Sequence, residues 1–309
     1  VLTIGEIGQK INIKGAVRFG EPMCRHTTFR IGGPADLFLQ PEDPEELPGL
    51  LRLLDREGLP RFLLGAGANI LVADRGIRGA VIDLSALRGC RPGAGERPSL
   101  NCLAGTPVSA LCAEALRRGL AGVEFLYSMP GSVGGAVWMN ARCYSRSVSD
   151  VLGPVLYLER RGEARTLIPE PGGFGYKLSP FQNMEALILE VSFLLQPGDR
   201  ERIERTMEEH HADRERKGHF LYPSAGSAWK NDPAFGQPTG RLLDALGLRG
   251  TRVGDAMVSD RHANILVNLG QARAAEVLEL MERIEETVRR RYGFELEREI
   301  LPVGDFTSS

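Results

Sequence analysis

Lysine is scarce in this chain. Of its 38 basic residues only Lys10, Lys14, Lys177, Lys217 and Lys230 are lysine, so arginine is the default cation and each lysine is worth locating. Cysteine is also sparse. Cys24, Cys90, Cys102, Cys112 and Cys143 are odd in number and contain no CxxC pair or Cys/His cluster. That pattern argues against a structural zinc site or a disulfide framework, and it predicts a reducing compartment in which the cysteines mostly pack. No apolar run approaches the length that spans a bilayer, and the N-terminus VLTIGEIGQKINIKG lacks the basic-then-apolar pattern of a signal peptide. A cytoplasmic protein without a membrane partner is expected. A formal net charge of −2 gives no basic surplus for nucleic acid. Internal repeats and low-complexity tracts are absent too.

What is present describes an ordinary globular chain: 309 residues, 42% apolar and 25% charged, enough for two or three domains. Asp43-Pro44-Glu45-Glu46 has the form of a helix start, with the helix ending before Gly58. RFLLGAGANILVADRGIRGAVIDLS supplies short β-like runs separated by glycine turns. After the Pro/Gly-rich joint RGCRPGAGERPS, Thr106-Pro107 opens a helix with Val108, Leu111, Cys112, Ala115 and Leu116 on one face, stopped by Gly119. Residues 186–195 alternate as a strand, and 197–218 form a charge-dense connecting helix. Near the C-terminus, Thr239 is expected to cap a short helix closed by Gly247, NILVN (264–268) is a strand, and a long helix follows with the stripe Val277, Met281, Ile284 and Val288. The fold class is α+β in three units, 1–87, 88–200 and 201–309.

Two glycine stretches point to chemistry. One is Gly65-Ala66-Gly67-Ala68-Asn69 after the strand RFLL; the other is Pro130-Gly131-Ser132-Val133-Gly134-Gly135. Neither is a P-loop, since no GxxxxGK[ST] occurs. GAGAN lacks the third glycine of a dinucleotide fingerprint, and Ile70-Leu71-Val72 reads as another strand where that fingerprint needs a helix. Taken singly, each is a tight turn. Together they offer backbone N–H groups of the kind that form anion nests, which suits a pyrophosphate.

Five segments occur in one order: LLGAGANILVADRGIRGAVIDL, GVEFLYSMPGSVGGAVWMNA, FGYKLSPFQ, YPSAGSAWKND and VGDAMVSDRHANILVN. Together they resemble the UDP-N-acetylenolpyruvoylglucosamine reductases, flavoenzymes of peptidoglycan precursor synthesis, from HTTFRIGGPADLF (26–38) to LEREI (296–300). The resemblance implies a two-subdomain FAD-binding fold of the vanillyl-alcohol-oxidase type plus a C-terminal α/β substrate-binding domain, in the compact form that lacks an extra tyrosine loop. It implies non-covalent FAD, NADPH as hydride donor, a nucleotide-sugar as the small-molecule partner, no metal, and a monomer. Gly65, Ala66, Gly67, Ala68, Asn69 and Ile70, with Pro130, Gly131, Ser132, Gly134, Gly135, Met139 and Asn140, would then lie on the flavin.

The implied reaction has two halves. NADPH passes a hydride to FAD, and the reduced flavin passes one to the terminal carbon of an enolpyruvyl group, leaving negative charge on the adjacent carbon and its carboxylate. Such a step requires preorganised positive charge and an acid. Ser227 matches the proton-donating serine and Glu299 the polarising glutamate. On strand alternation Glu297 and Glu299 share a face, so periodicity does not choose between them; the motif chooses Glu299. Lys177 stands where the family pattern Phe-x-Tyr-Arg places an electrophilic arginine, and Arg142-Cys143 stand in Asn-Ala-Arg-Cys-Tyr-Ser where the family usually has Asn-Ala-Gly-Ala-Tyr-Gly. Lysine keeps the charge and loses the two-pronged contact to a carboxylate. Either Lys177 acts as a point charge or another arginine supplies the fork. Tyr176, Lys217, Lys230, Asn231 and His262 match positions that meet the nucleotide-sugar. Two other functions stay open: an oxidase of the same flavin fold, which should lack the Ser-plus-Glu pair, and a non-catalytic nucleotide-sugar-binding relative, favoured only by Lys177.

Overall fold

The computed structural model describes residues 2–307, which gather into two compact units. Of these, the first comprises 2–19, 37–66 and 79–212, the second 20–36, 67–78 and 213–307. Each has its own apolar core.

In the first unit, Asp43 accepts from Glu45 N and Glu46 closes a capping box, as the sequence indicates. The first turn, Pro44–Glu46, is 3-10 before the α-helix Leu47–Arg56 begins. Leu47, Leu50, Leu51 and Leu54 bury one face of it, the i, i+3, i+4, i+7 stripe of a helix lying on a core. The helix Val108–Arg117 buries Val108, Leu111, Cys112 and Ala115, and Gly119 follows with φ +65°, a conformation that a side chain would strain. Strand Arg61–Leu64 pairs in parallel with Ile77–Asp83. A five-stranded sheet runs Ala164–Leu167, Leu152–Leu158, Leu187–Leu194, Ser99–Leu103, Cys90–Pro92. Its last two strands place Cys90 directly opposite Cys102, with Cα atoms 4.3 Å apart, and their sulfurs are joined. The expectation of packing cysteines is corrected for this pair: a 12-residue separation says nothing about cross-strand register, which the intervening turn sets. Cys112 does pack, fully buried, with its thiol pushed up above the ordinary range by burial.

The stretch Pro130–Gly135 runs into helix Val133–Trp138, and a hairpin follows, Arg142–Cys143 against Arg146–Ser147. Its two-residue loop is Tyr144-Ser145, both at positive φ (49° and 62°), the mirror-image turn that normally calls for Asn-Gly. The Tyr144 ring stacks on His210 at 3.8 Å and its hydroxyl donates to the His210 carbonyl at 3.1 Å, which holds the strained loop in place. Ser145→Gly is expected to raise unfolding free energy by about 0.5–1 kcal/mol through relief of that strain; an unchanged urea midpoint would contradict it.

In the second unit a sheet runs Ser224–Ser227, Ile265–Asn268, Ala256–Val258, Arg252–Val253, and strand Ile70–Val72 pairs in parallel with Leu301–Val303. Helix Ala274–Tyr292 buries Val277, Met281, Ile284 and Val288 as its spacing requires, with Leu280 beside them. Asp74 accepts from Ala274 N and Ala275 N at 2.8 and 3.1 Å, satisfying first-turn donors from a distant part of the sequence. Thr239 is not a cap: it is the first helical residue after Pro238, and its hydroxyl donates to Lys230 O at 2.7 Å. Among the described residues no helix is long and apolar enough to cross a membrane.

Candidate active site

Within the first unit, Gly65 of the GAGAN stretch meets Ser132 of the second glycine stretch. A Cβ on Gly65 would run into the Ser132 hydroxyl, so GAGAN and PGSVGG meet at a point where only hydrogen fits. The glycines of the second stretch do different work. Gly134 packs against Ala104, where a Cβ would stand 2.8 Å from the Ala104 Cβ, and its N–H donates to Ala104 O at 2.8 Å. Val133 N–H donates to Thr106 O at 2.8 Å and Gly135 N–H to Ser132 Oγ at 3.4 Å. The first turn of this helix is thus satisfied internally. Gly131 alone faces open space, with nothing within 4 Å of a Cβ built there, so the Pro130–Ser132 approach is where the stretch is open to a ligand.

Asn140, 2% exposed and at φ +40°, ties this region to FGYKLSPFQ. Its Nδ2 donates to Gly175 O at 2.7 Å, and its Oδ1 accepts from Ser149 N at 3.0 Å. Ser179 Oγ and Gln182 Nε2 donate to Trp138 O at 2.7 and 2.9 Å, and Gln182 also donates to Lys177 O at 2.9 Å. Lys177 sits half-buried in that turn at φ +57°. Tyr176 is exposed, with the Arg142 guanidinium 5.7 Å from its ring centroid.

The second unit assembles Ser227 and Glu299. Ala228 O accepts from Glu299 N at 2.8 Å, and Lys230 N donates to Glu297 O at 2.9 Å, around a bridge between Trp229 and Arg298. Residues 295–300 are therefore a single bridged segment and not the regular strand expected from alternation. That difference separates the two glutamates: Glu297 is exposed and pairs with Lys230 at 2.6 Å, whereas Glu299 is 7% exposed. Asn69 is part of the same knot, its Nδ2 donating to Glu299 O at 3.0 Å and its O accepting from Leu301 N at 3.0 Å. Ser227 stands opposite Ile265 at the end of its strand, and among the described residues its hydroxyl has no hydrogen-bond partner. Gly67, at φ +61°, could not carry a Cβ without striking His26 O.

The remaining residues matched to a nucleotide-sugar fall in the second unit. Asn231 Oδ1 accepts from Thr239 N at 2.9 Å, Lys217 pairs with Asp213 at 2.6 Å, and His262 Nδ1 accepts from Asn264 N at 3.2 Å. His262 faces His219 with ring centroids 6.0 Å apart. Burial, then the nearby Arg214, holds His219 down to about 4; burial, then Lys217, also lowers His262. His219 is therefore neutral in the fold and more basic in the unfolded chain. Its stabilising contribution is complete above pH 6.5 and is lost as pH falls toward 4. His219→Asn should flatten that acid limb of the stability profile by on the order of 2 kcal/mol, and identical acid limbs for the two proteins would refute the assignment.

Two organising residues carry no obvious signal in the sequence. Thr28 donates its hydroxyl to Ser224 O at 2.7 Å and its N–H to Gly67 O at 3.1 Å. Asn264 clamps the Trp229 backbone from both sides, accepting from its N at 3.0 Å and donating to its O at 2.8 Å. Each joins segments far apart in sequence, which composition and periodicity do not register.

Comparison with known proteins places this architecture. Residues 35–167 match the sequence model of the FAD binding domain, which makes the chain an FAD-containing oxidoreductase by class. Residues 218–303 match that of the UDP-N-acetylenolpyruvoylglucosamine reductase C-terminal domain. A reductase of that name, number 2 of Symbiobacterium thermophilum, is 41% identical over 93% of this chain and 92% of its own, and one from Heliobacterium modesticaldum is 40% identical over 92% and 90%. The crystal structure of the Thermus caldophilus reductase superposes with a TM-score of 0.78 at 37% identity, covering 93% of this chain and 99% of that one. The chain belongs to the UDP-N-acetylenolpyruvoylglucosamine reductase family.

Proposed function

We propose that this protein reduces the enolpyruvyl group of UDP-N-acetylglucosamine enolpyruvate to UDP-N-acetylmuramate, with NADPH as reductant, in peptidoglycan precursor synthesis. The observation that carries it is the backbone bond from Glu299 N to Ala228 O, which sets the one buried C-terminal glutamate beside the residue that follows Ser227. Bound FAD would supply the redox chemistry, the transfer of hydride from NADPH to the substrate. Residues 1–87 and 88–200 form its two subdomains and 201–309 the substrate domain.

The residues present fit that cofactor. Gly131 opens to space, and no helix follows GAGAN that would demand the Rossmann arrangement. Gly65, Ala66, Gly67, Ala68, Asn69 and Ile70, with Pro130, Gly131, Ser132, Gly134, Gly135, Met139 and Asn140, hold the flavin in this proposal. The structural work of Gly134 and of the Asn140 amide makes those two supports of the loop.

Ser227 gives its hydroxyl proton to the substrate carbon next to the carboxylate. A free hydroxyl is a very poor acid, so the step requires a strongly basic carbon and a route that reloads the proton. Glu299 polarises the substrate, and Lys177 balances its carboxylate. Tyr176, Lys217, Lys230, Asn231 and His262 hold the nucleotide-sugar; Lys217 and Lys230 then exchange carboxylate partners already present in the fold for phosphate or sugar oxygens. The protein acts as a cytoplasmic monomer. Turnover assays test the proposal: NADPH should be consumed in step with a product two hydrogens heavier than the substrate. An alcohol or lactone oxidised with oxygen, and no enolpyruvyl reduction, would favour the oxidase.

A further inference from the structure

We propose that Arg142 supplies the guanidinium that grips the substrate's carboxylate, working beside Lys177. The inference rests on the enolpyruvyl-reductase proposal and names a residue for it.

An ammonium meets a carboxylate as a point charge, whereas a guanidinium meets both oxygens in one plane. Negative charge grows on that carboxylate as the hydride arrives, so a group able to hold both oxygens strengthens its hold where the barrier lies. At position 177 this chain, which otherwise writes arginine almost everywhere, has lysine. The nearest structural answer is one loop away. The Arg142 guanidinium lies 5.7 Å from the Tyr176 ring centroid, against the residue that precedes Lys177.

The two cations are tied together by a single buried amide. Asn140, two residues before Arg142, donates to Gly175 O, two residues before Lys177, at 2.7 Å. Gln182 fixes the Lys177 carbonyl, and the Tyr144–His210 stack with its hydroxyl bond fixes the far side of the Arg142 hairpin. Arg142 is exposed and, among the described residues, makes no ion pair, while its hairpin neighbour Arg146 lies over the Phe125 ring at 5.0 Å. Arg142 is thus held by its backbone with its charge available, the condition for a preorganised anion grip.

The test compares half-reactions of the FAD-loaded full-length enzyme. Wild-type protein is first shown to be re-oxidised by UDP-N-acetylglucosamine enolpyruvate; failure there would sink the parent proposal and leave Arg142 irrelevant. With that established, Arg142→Ala and Arg142→Gln should re-oxidise about 10- to 100-fold more slowly and lose more in this step than in reduction by NADPH. Lys177→Arg added to Arg142→Ala should restore most of the rate. The carboxyl methyl ester of the substrate, which lacks the charge, should react at similar rates with wild type and variants. Re-oxidation of both variants at the wild-type rate, or equal losses with acid and ester, would overturn the inference, the second outcome assigning Arg142 to loop support.

Discussion

Ser227→Ala should leave NADPH reduction of the bound flavin intact while slowing its re-oxidation by substrate by roughly 10²–10⁴-fold, the range in which a positioned proton donor contributes. The residue suits so selective a test. Its hydroxyl makes no hydrogen bond among the described residues and it stands at a strand end, so removing the oxygen leaves no buried partner unsatisfied and the fold should be unaffected. Stopped-flow absorbance at the flavin band separates the two steps. Equal loss in both halves would show that Ser227 supports flavin binding and does not transfer a proton.

Glu299→Gln should also act on the second half-reaction, by about 10²-fold or more. The substitution keeps the size of the side chain and removes the charge, and the bonds that hold the segment, Glu299 N to Ala228 O and Asn69 Nδ2 to Glu299 O, belong to the backbone of Glu299. Loss of rate with an unchanged thermal midpoint is the expected result. Glu297→Gln provides the contrast: that carboxylate is exposed and pairs with Lys230, so its removal frees Lys230 and should lower KM while leaving kcat nearly unchanged. A larger kcat loss at Glu297 would reverse the assignment of the two glutamates.

These two glutamates also show where sequence patterns stop. Alternation could not separate them because it assumes a strand, and the chain at 295–300 is held by one bridge and a few backbone bonds to Ala228 and Asn69. Local signals served well where local physics governs. The capping box at Asp43, the Val277-to-Val288 stripe and the glycine after each long helix are all present. Features fixed by tertiary register were not legible: the Cys90–Cys102 pair, the Asp74 cap on a helix two hundred residues away, and the Asn264 clamp on Trp229.

The glycine stretch shows a mixed outcome. Three glycines in five positions suggest a backbone approached by a ligand, yet Gly134 answers to Ala104 and Gly65 to Ser132. Much of the demand for small residues comes from the protein's own packing, and only Gly131 faces open space. Motif order, and not glycine content, carried the correct family. The lysine count singled out Lys177, Lys217 and Lys230, and the last two already have carboxylate partners at 2.6 Å.

The most direct measurement of the central claim is an anaerobic titration of the purified protein followed at the flavin band. NADPH should bleach it, and stoichiometric UDP-N-acetylglucosamine enolpyruvate should then restore it, with one product formed per flavin. A protein that bleaches and recovers only on admission of oxygen, or that stays colourless after incubation with FAD, would contradict the account.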